Sequence, residues 1–336
     1  MDLDTFLTTV YVLVDDWYKA TWAKRLARQQ GRRARMSDSE VLTVALVGQW
    51  RVGVPWQSER GVVRFMQEQG RGWFPQMLGR SGFNQRVRNL WAVFIQLQQA
   101  VARWLEPKGS VYECVDCVPL RACSVAHAQR QREHWWWWSD YGHGGTHGGR
   151  YFGDQVVLSV SPRSVVSGWL VGDARTDDRW LLQALLRLRA GHNRLMCPPA
   201  SASGKDRRLA WPANLPVPTS AAGSALSSCY LADGGFGGAR WHGIWRACAA
   251  HVLTPPPSNA PDRWPRAALR WLHRHRQPVE TAFAQLTTVF SFTRLRAHSR
   301  WGQLTALAAM LAAYNLGLWL NHQQGRPLLA VATLIS

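Results

Sequence analysis

The sequence predicts an α/β fold preceded by an all-helical region, and three observations carry that prediction. Residues 1 to about 105 repeat apolar side chains at helical spacing. From residue 110 short apolar runs are closed by turn residues, as strands are. Those runs then alternate with helical segments as far as residue 322.

In the first region, Leu3, Phe6, Leu7, Val10, Leu13, Val14 and Trp17 line one helical face. Residues 19–35 follow with seven basic residues and no acid. Ser37 is placed as an N-cap, with Glu40 three residues later as its capping-box partner, so a helix opens there and runs through VLTVALVGQW. FNQRVRNLWAVFIQLQQAVARWL reads as one further apolar helix with Arg86 and Arg88 on its exposed positions. The expectation is a basic helical DNA-binding domain over 1–105, built as a helix-turn-helix or as a plain bundle.

In the second region, SVYECVDCVPL reads as a buried strand. YFGDQVVLSVSP and SVVSGWLVGDA read as a hairpin around Ser161–Ser164. DDRWLLQALLRLRA is a helix, SCYLAD a strand, GARWHGIWRACAA a helix and HVLTPPP a strand stopped by prolines. A long helix covers roughly 266–296, and a last one WGQLTALAAMLAAYNLGLWLNH. The order is strand, strand, strand, helix, strand, helix, strand, helix. It is the order of a ribonuclease H-like domain with a mixed five-stranded sheet, placed here at 110–322. Residues about 191–227, rich in Pro, Ser and Ala, read as a loop insertion.

Composition narrows the partners. The 336 residues hold 40 Lys and Arg against 21 Asp and Glu, a formal charge of +19. Such a chain favours polyanions, nucleic acid above all, because neutralised phosphates release counterions. No stretch approaches the roughly 20 uninterrupted apolar residues of a membrane span. The acidic start is a poor signal peptide, so the chain is expected in the cytoplasm, away from membranes. The six cysteines then read as free thiols. Cys114-x-x-Cys117 with Cys123 and His127 looks like a zinc set. On a strand, however, Cys114 and Cys117 point to opposite faces, which argues against it.

Acids are scarce toward the C-terminus. After Asp178 only Asp206, Asp233, Asp262 and Glu280 carry negative charge. In the ribonuclease H-like order, acids on the first strand, after the fourth strand and on the following long helix converge at one sheet edge. Asp116, Asp233 and Glu280 hold those places. Three carboxylates suit two Mg²⁺ or Mn²⁺ ions, which clamp the attacking and leaving oxygens of a phosphoryl transfer. Lys24, Arg25, Arg28, Arg32, Arg33, Arg35, Arg274, Arg276, Arg294 and Arg296 are the candidate DNA contacts.

Several stretches resemble the DDE-type insertion-sequence transposases, nearest the family of insertion sequence nine-eighty-two. They are FLTTVYVLVDDW, MSDSEVLTVALVGQW, VDCVPLRAC, LADGGFGG and RHRQPVETAFAQLTTVFSFTRLRA. The resemblance runs from near the N-terminus to about residue 321. It implies metal-dependent cutting and joining of DNA ends at a triad that falls on Asp116, Asp233 and Glu280. It also implies terminal inverted repeats and target DNA as partners, and a homo-oligomer when bound to DNA. Arg276 matches a basic family position. The sequence departs from the family at Phe236, where tyrosine is usual, and at Asp154, where lysine is common. It departs again at Leu286, Thr287 and Thr288, where a basic residue often stands. The competing readings are a nuclease of the same fold without strand joining, and an inactive DNA-binding remnant.

Other features read as structural. Trp135–Trp138 is expected to pack on the sheet or on a partner subunit, or else to stack on unpaired bases. The Gly-rich segment with His134, His143 and His147 reads as a mobile loop. Asp173, Asp177 and Asp178 read as turn and cap residues, with Asp173 the best substitute for a triad member.

Overall fold

The computed structural model describes residues 1–22, 34–130, 139–144, 149–190, 227–257, 260–261, 263–295, 297 and 299–335. Lys24, Arg25, Arg28, Arg32, Arg33, Arg296, His134, His147, the Trp135–Trp138 run and residues 191–226 lie outside them, as does the side chain of Arg294.

The helical region holds α1 (Leu3–Thr21), α2 (Asp38–Val47), α3 (Glu59–Glu68), α4 (Arg80–Asn89) and α5 (Trp91–Leu105). The capping box forms as expected: Ser37 Oγ accepts the Glu40 N–H at 3.1 Å, and Glu40 accepts the Ser37 N–H at 2.5 Å. The stretch expected as one helix over 83–105 is two. Leu90, at φ −94° and ψ 10°, leaves the helical basin and separates α4 from α5. Helical periodicity continues across such a break, so it does not show in the sequence.

Among the described residues six strands make the sheet: β1 (Glu113–Cys123), β2 (Asp140–His143), β3 (Arg150–Val160), β4 (Val166–Asp173), β5 (Cys229–Leu231) and β6 (His251–Leu253). β1 pairs antiparallel with β3 and parallel with β5, and β5 pairs parallel with β6. β2 and β4 lie end to end along the other edge of β3. β2 corrects the reading of its segment as loop. Asp-Tyr-Gly-His is too short to show alternation, and its pairing with β3 makes it a strand. The hairpin between β3 and β4 turns at Ser164, whose φ is 63°. Ser161 Oγ stabilises the turn by accepting the N–H groups of Arg163 and Val165.

α6 (Asp178–Arg189) and α7 (Ala239–Ala247) cover one face of the sheet. α8 (Arg266–Phe290) and α9 (Arg300–Gln323) cover the other together with the N-terminal helices. α8 stops at Ser291, in the left-handed region at φ 58°, rather than running to 296. Alternation along β1 therefore divides its side chains. Cys114 joins the large core with α8 and α9, whereas Val115 and Cys117 join the smaller core under α6. The two cysteines thus face apart, as their odd spacing requires.

The large core is continuous from α1 to α9. Phe6, Trp50, Phe290 and Tyr314 form a chain of edge-on aromatic contacts at 5.1, 4.9 and 6.2 Å. Trp91 meets Trp301 at 4.9 Å. Asn315, fully buried in α9, donates to the carbonyls of Gln98 in α5 and Val166 in β4 and accepts the Val166 N–H. α9 is long and apolar enough to cross a membrane by length and composition, but 89% of its apolar window is buried inside this core.

Candidate functional site

Asp116 lies on β1 and Asp233 just beyond the end of β5. The strands are parallel, with Glu113 paired to Tyr230 and Cys114 to Leu231. Two residues further along each chain, the register carries Asp116 level with Asp233 on adjacent strand paths. Both keep the parity of Cys114 and Leu231, which pack in the large core on the α8 side. Asp233 caps the turn at Gly234–Phe236, its Oδ1 accepting the Gly235 N–H at 2.9 Å. Phe236, found where the resemblance expects tyrosine, is fully buried under α6 and α7.

α8 supplies the other side. Cys114 Sγ donates to the His275 carbonyl at 2.9 Å, which locks the helix over β1. Arg276 follows, and its Nη2 meets Asp116 Oδ2 at 3.2 Å. The Asp116 side chain is 25% exposed and that of Arg276 13%. Asp116 Oδ1 accepts the Cys117 N–H at 2.8 Å. Glu280 stands one helical turn beyond Arg276 and is exposed. Its charge reaches β1: burial pushes the Cys114 thiol up to about 12, and Glu280 adds to that rise along with Glu113 and Asp116.

Burial also pushes the Asp116 carboxyl up, to about 6. Arg276 and the Cys117 N–H oppose the rise; Asp233 and Asp178 add to it. Asp178 was read from sequence as a cap or turn residue. The cap of α6 is instead its neighbour Asp177, which accepts the Arg179 N–H at 2.9 Å. Asp178 accepts from Gln155 Nε2, its charge acts on Cys117 and Asp116, and burial, with Asp177 and Asp233 adding, raises its own carboxyl. Asp173, named as the substitute, instead accepts the Arg175 N–H in the turn after β4. Two adjacent acids at a helix start look alike in sequence, and only the direction of each side chain tells them apart.

Among the described residues, no group of three His, Cys, Asp or Glu side chains is drawn together in metal-holding geometry. The donor chemistry nonetheless fits a hard divalent cation. Asp116, Asp233 and Glu280 offer carboxylate oxygens, and burial raises the proton affinity of Asp116, with the charges of Asp233 and Asp178 adding to the rise.

The basic candidates part ways. Arg35 and Arg274 are exposed, whereas Arg276 turns inward to Asp116. Arg294 lies in the turn after α8.

Asp154, in the place where lysine is common in the family, is fully buried and pairs with Arg300 at 3.0 Å. The charge there is internal, tying β3 to the start of α9.

The transposase DDE domain family matches residues 114–316, more than half of the chain. The chain belongs to that family. The match begins two residues before Asp116, takes in Asp233 and Glu280, and ends inside α9. Comparison with curated proteins and with solved structures gives no match. The transposase domain thus coincides with the sheet and the helices on both its faces.

Proposed function

We propose that this protein is a DNA transposase of the insertion-sequence nine-eighty-two type, cutting element ends and joining them to a target at Asp116, Asp233 and Glu280. The observation that carries this reading is the parallel register that sets Asp116 beside Asp233, with the Glu280 helix packed across the same strand. Asp116, Asp233 and Glu280 would hold two Mg²⁺ or Mn²⁺ ions, which supply activation of water or a 3′-hydroxyl and charge stabilisation of the leaving 3′-oxygen. The chain's own residues do the rest. β1, the turn after β5 and α8 hold Asp116, Asp233 and Glu280 in place, and Arg276 and Arg274 offer guanidinium groups to phosphate. The +19 charge draws the strands in. The partners are terminal inverted repeats and target DNA, with the protein acting as a homo-oligomer on DNA in the cytoplasm.

The test is cleavage of DNA carrying the element ends. Wild type should cut in the presence of Mg²⁺ and yield joined product. Asp116→Ala, Asp233→Ala and Glu280→Ala should each lose cutting while still binding DNA. Cutting without joining would reduce the protein to a nuclease. Undiminished cutting by all three variants would sink the triad.

A further inference from the structure

We propose that Arg276 couples DNA arrival to metal loading: it holds Asp116 in the DNA-free protein and releases it when a DNA phosphate takes the guanidinium. This rests on the reading of Asp116, Asp233 and Glu280 as the metal-binding carboxylates.

Both oxygens of Asp116 are engaged, Oδ2 by Arg276 Nη2 at 3.2 Å and Oδ1 by the Cys117 N–H at 2.8 Å. With Arg276 only 13% exposed, water screens the pair little, and its attraction exceeds that of a surface pair. A divalent cation bound to Asp116 would sit beside the guanidinium, and like charges a few ångströms apart repel. Metal and Arg276 therefore compete for one carboxylate.

Asp116 does not satisfy the guanidinium. Arg276 Nε is buried without a hydrogen-bond partner. A phosphate would accept from Nε and Nη together, in the forked geometry that arginine prefers. α8 also carries a basic ridge close to the site. Arg266, Arg270 and Arg274 are all exposed at four-residue spacing, and the helix carries no acid before Glu280. DNA drawn to this ridge lies along the same helix, with Arg274 two residues from Arg276 but on another face, while Arg276 turns inward to Asp116.

The two equilibria are then linked. Whatever draws Arg276 off Asp116 raises metal affinity, and bound metal raises DNA affinity by the same factor. The consequence is a catalytic centre that loads metal on DNA and stays poorly loaded off it. An arginine that only anchored phosphate would leave the Mn²⁺ affinity of the DNA-free protein untouched.

The experiment measures Mn²⁺ binding to the full-length protein by electron paramagnetic resonance of the free ion. It is run without DNA and with a duplex oligonucleotide, and the Asp116→Asn protein with the same DNA serves as baseline. Wild type should bind Mn²⁺ about tenfold more tightly on DNA, within the usual range of coupling between sites. Arg276→Gln should bind Mn²⁺ about tenfold more tightly than wild type without DNA, and should gain nothing further from DNA. Arg276→Lys, which keeps the charge and loses the fork, should fall between the two and serves if the glutamine variant does not fold. Unchanged or weaker DNA-free Mn²⁺ binding in a folded Arg276 variant overturns the coupling, even when Asp116→Asn abolishes binding. Mn²⁺ binding that survives Asp116→Asn overturns the metal-site reading and the coupling with it.

Discussion

Asp116 and Glu113 lie three residues apart on β1 and represent two uses of a buried carboxylate. Glu113 is fully buried and fully engaged. It meets Arg189 of α6 at 2.8 Å, accepts from Ser159 and Ser167, and accepts the Ser227 N–H at 3.2 Å. Arg189 and Ser227 stand on either side of residues 191–226 in the chain, and one carboxylate ties the two together. Glu113→Ala would leave Arg189 buried without its partner and should cost about 3–5 kcal/mol, the usual penalty for breaking a buried pair from one side. Denaturant melts of the purified variant check this. Asp116 is under strain instead. Its carboxyl titrates near 6 in the fold against about 4 in an unfolded chain. The folded state therefore binds that proton more tightly, and the metal-free protein loses stability from this group as pH rises from about 4 to 6. Asp116→Asn should flatten that slope, melting above wild type at pH 7.5 in chelator and level with it at pH 4. A variant that melts below wild type at pH 7.5 would show that the Arg276 pair outweighs the burial of Asp116.

Among the elements, the capping box of α2 tests how much local signals matter. Every residue of α2 from Val41 to Val47 is buried, so its terminus must be well placed for that packing. Ser37→Ala removes one reciprocal bond and should cost about 1 kcal/mol, read as a lower thermal midpoint at unchanged fold. α8 carries more of the candidate site. Its buried side, Leu272, Val279, Ala282, Leu286, Val289 and Phe290, packs on the large core and sets the helix phase. That phase turns Arg276 to Asp116 and leaves Arg274 and Glu280 outside. Leu286 is fully buried in this face. Packing thus excludes a basic residue at Leu286, whereas Thr287 and Thr288 are exposed.

At the scale of the whole molecule, the continuous core predicts one cooperative unit. The helical residues expected to act as a separate domain bury Phe6 and Trp50 against Phe290 and Trp91 against Trp301. Calorimetry should show a single transition, and residues 1–105 expressed alone should lack a cooperative melt. Two resolved transitions would restore an independent helical domain. DNA binding belongs to this scale as well. The +19 charge predicts that log affinity falls linearly with log salt, as phosphate contacts do, and a salt-independent affinity would remove the electrostatic basis of the DNA reading.

The sequence by itself determined most of the strands and helices of the second region, the capping box, the opposed faces of Cys114 and Cys117 and the membership of the transposase DDE domain family. Each rests on periodicity, on spacing or on short motifs, which are local properties of the chain. Tertiary structure decided the rest. It broke the 83–105 stretch at Leu90, made β2 from four residues by pairing them with β3, and joined the helical region to the sheet in one core. It turned Asp178 toward Cys117 while Asp177 took the cap, and it set Arg276 on Asp116. These outcomes depend on which way a side chain points and what packs opposite it. Residues far apart in the chain settle both, so no local pattern records them.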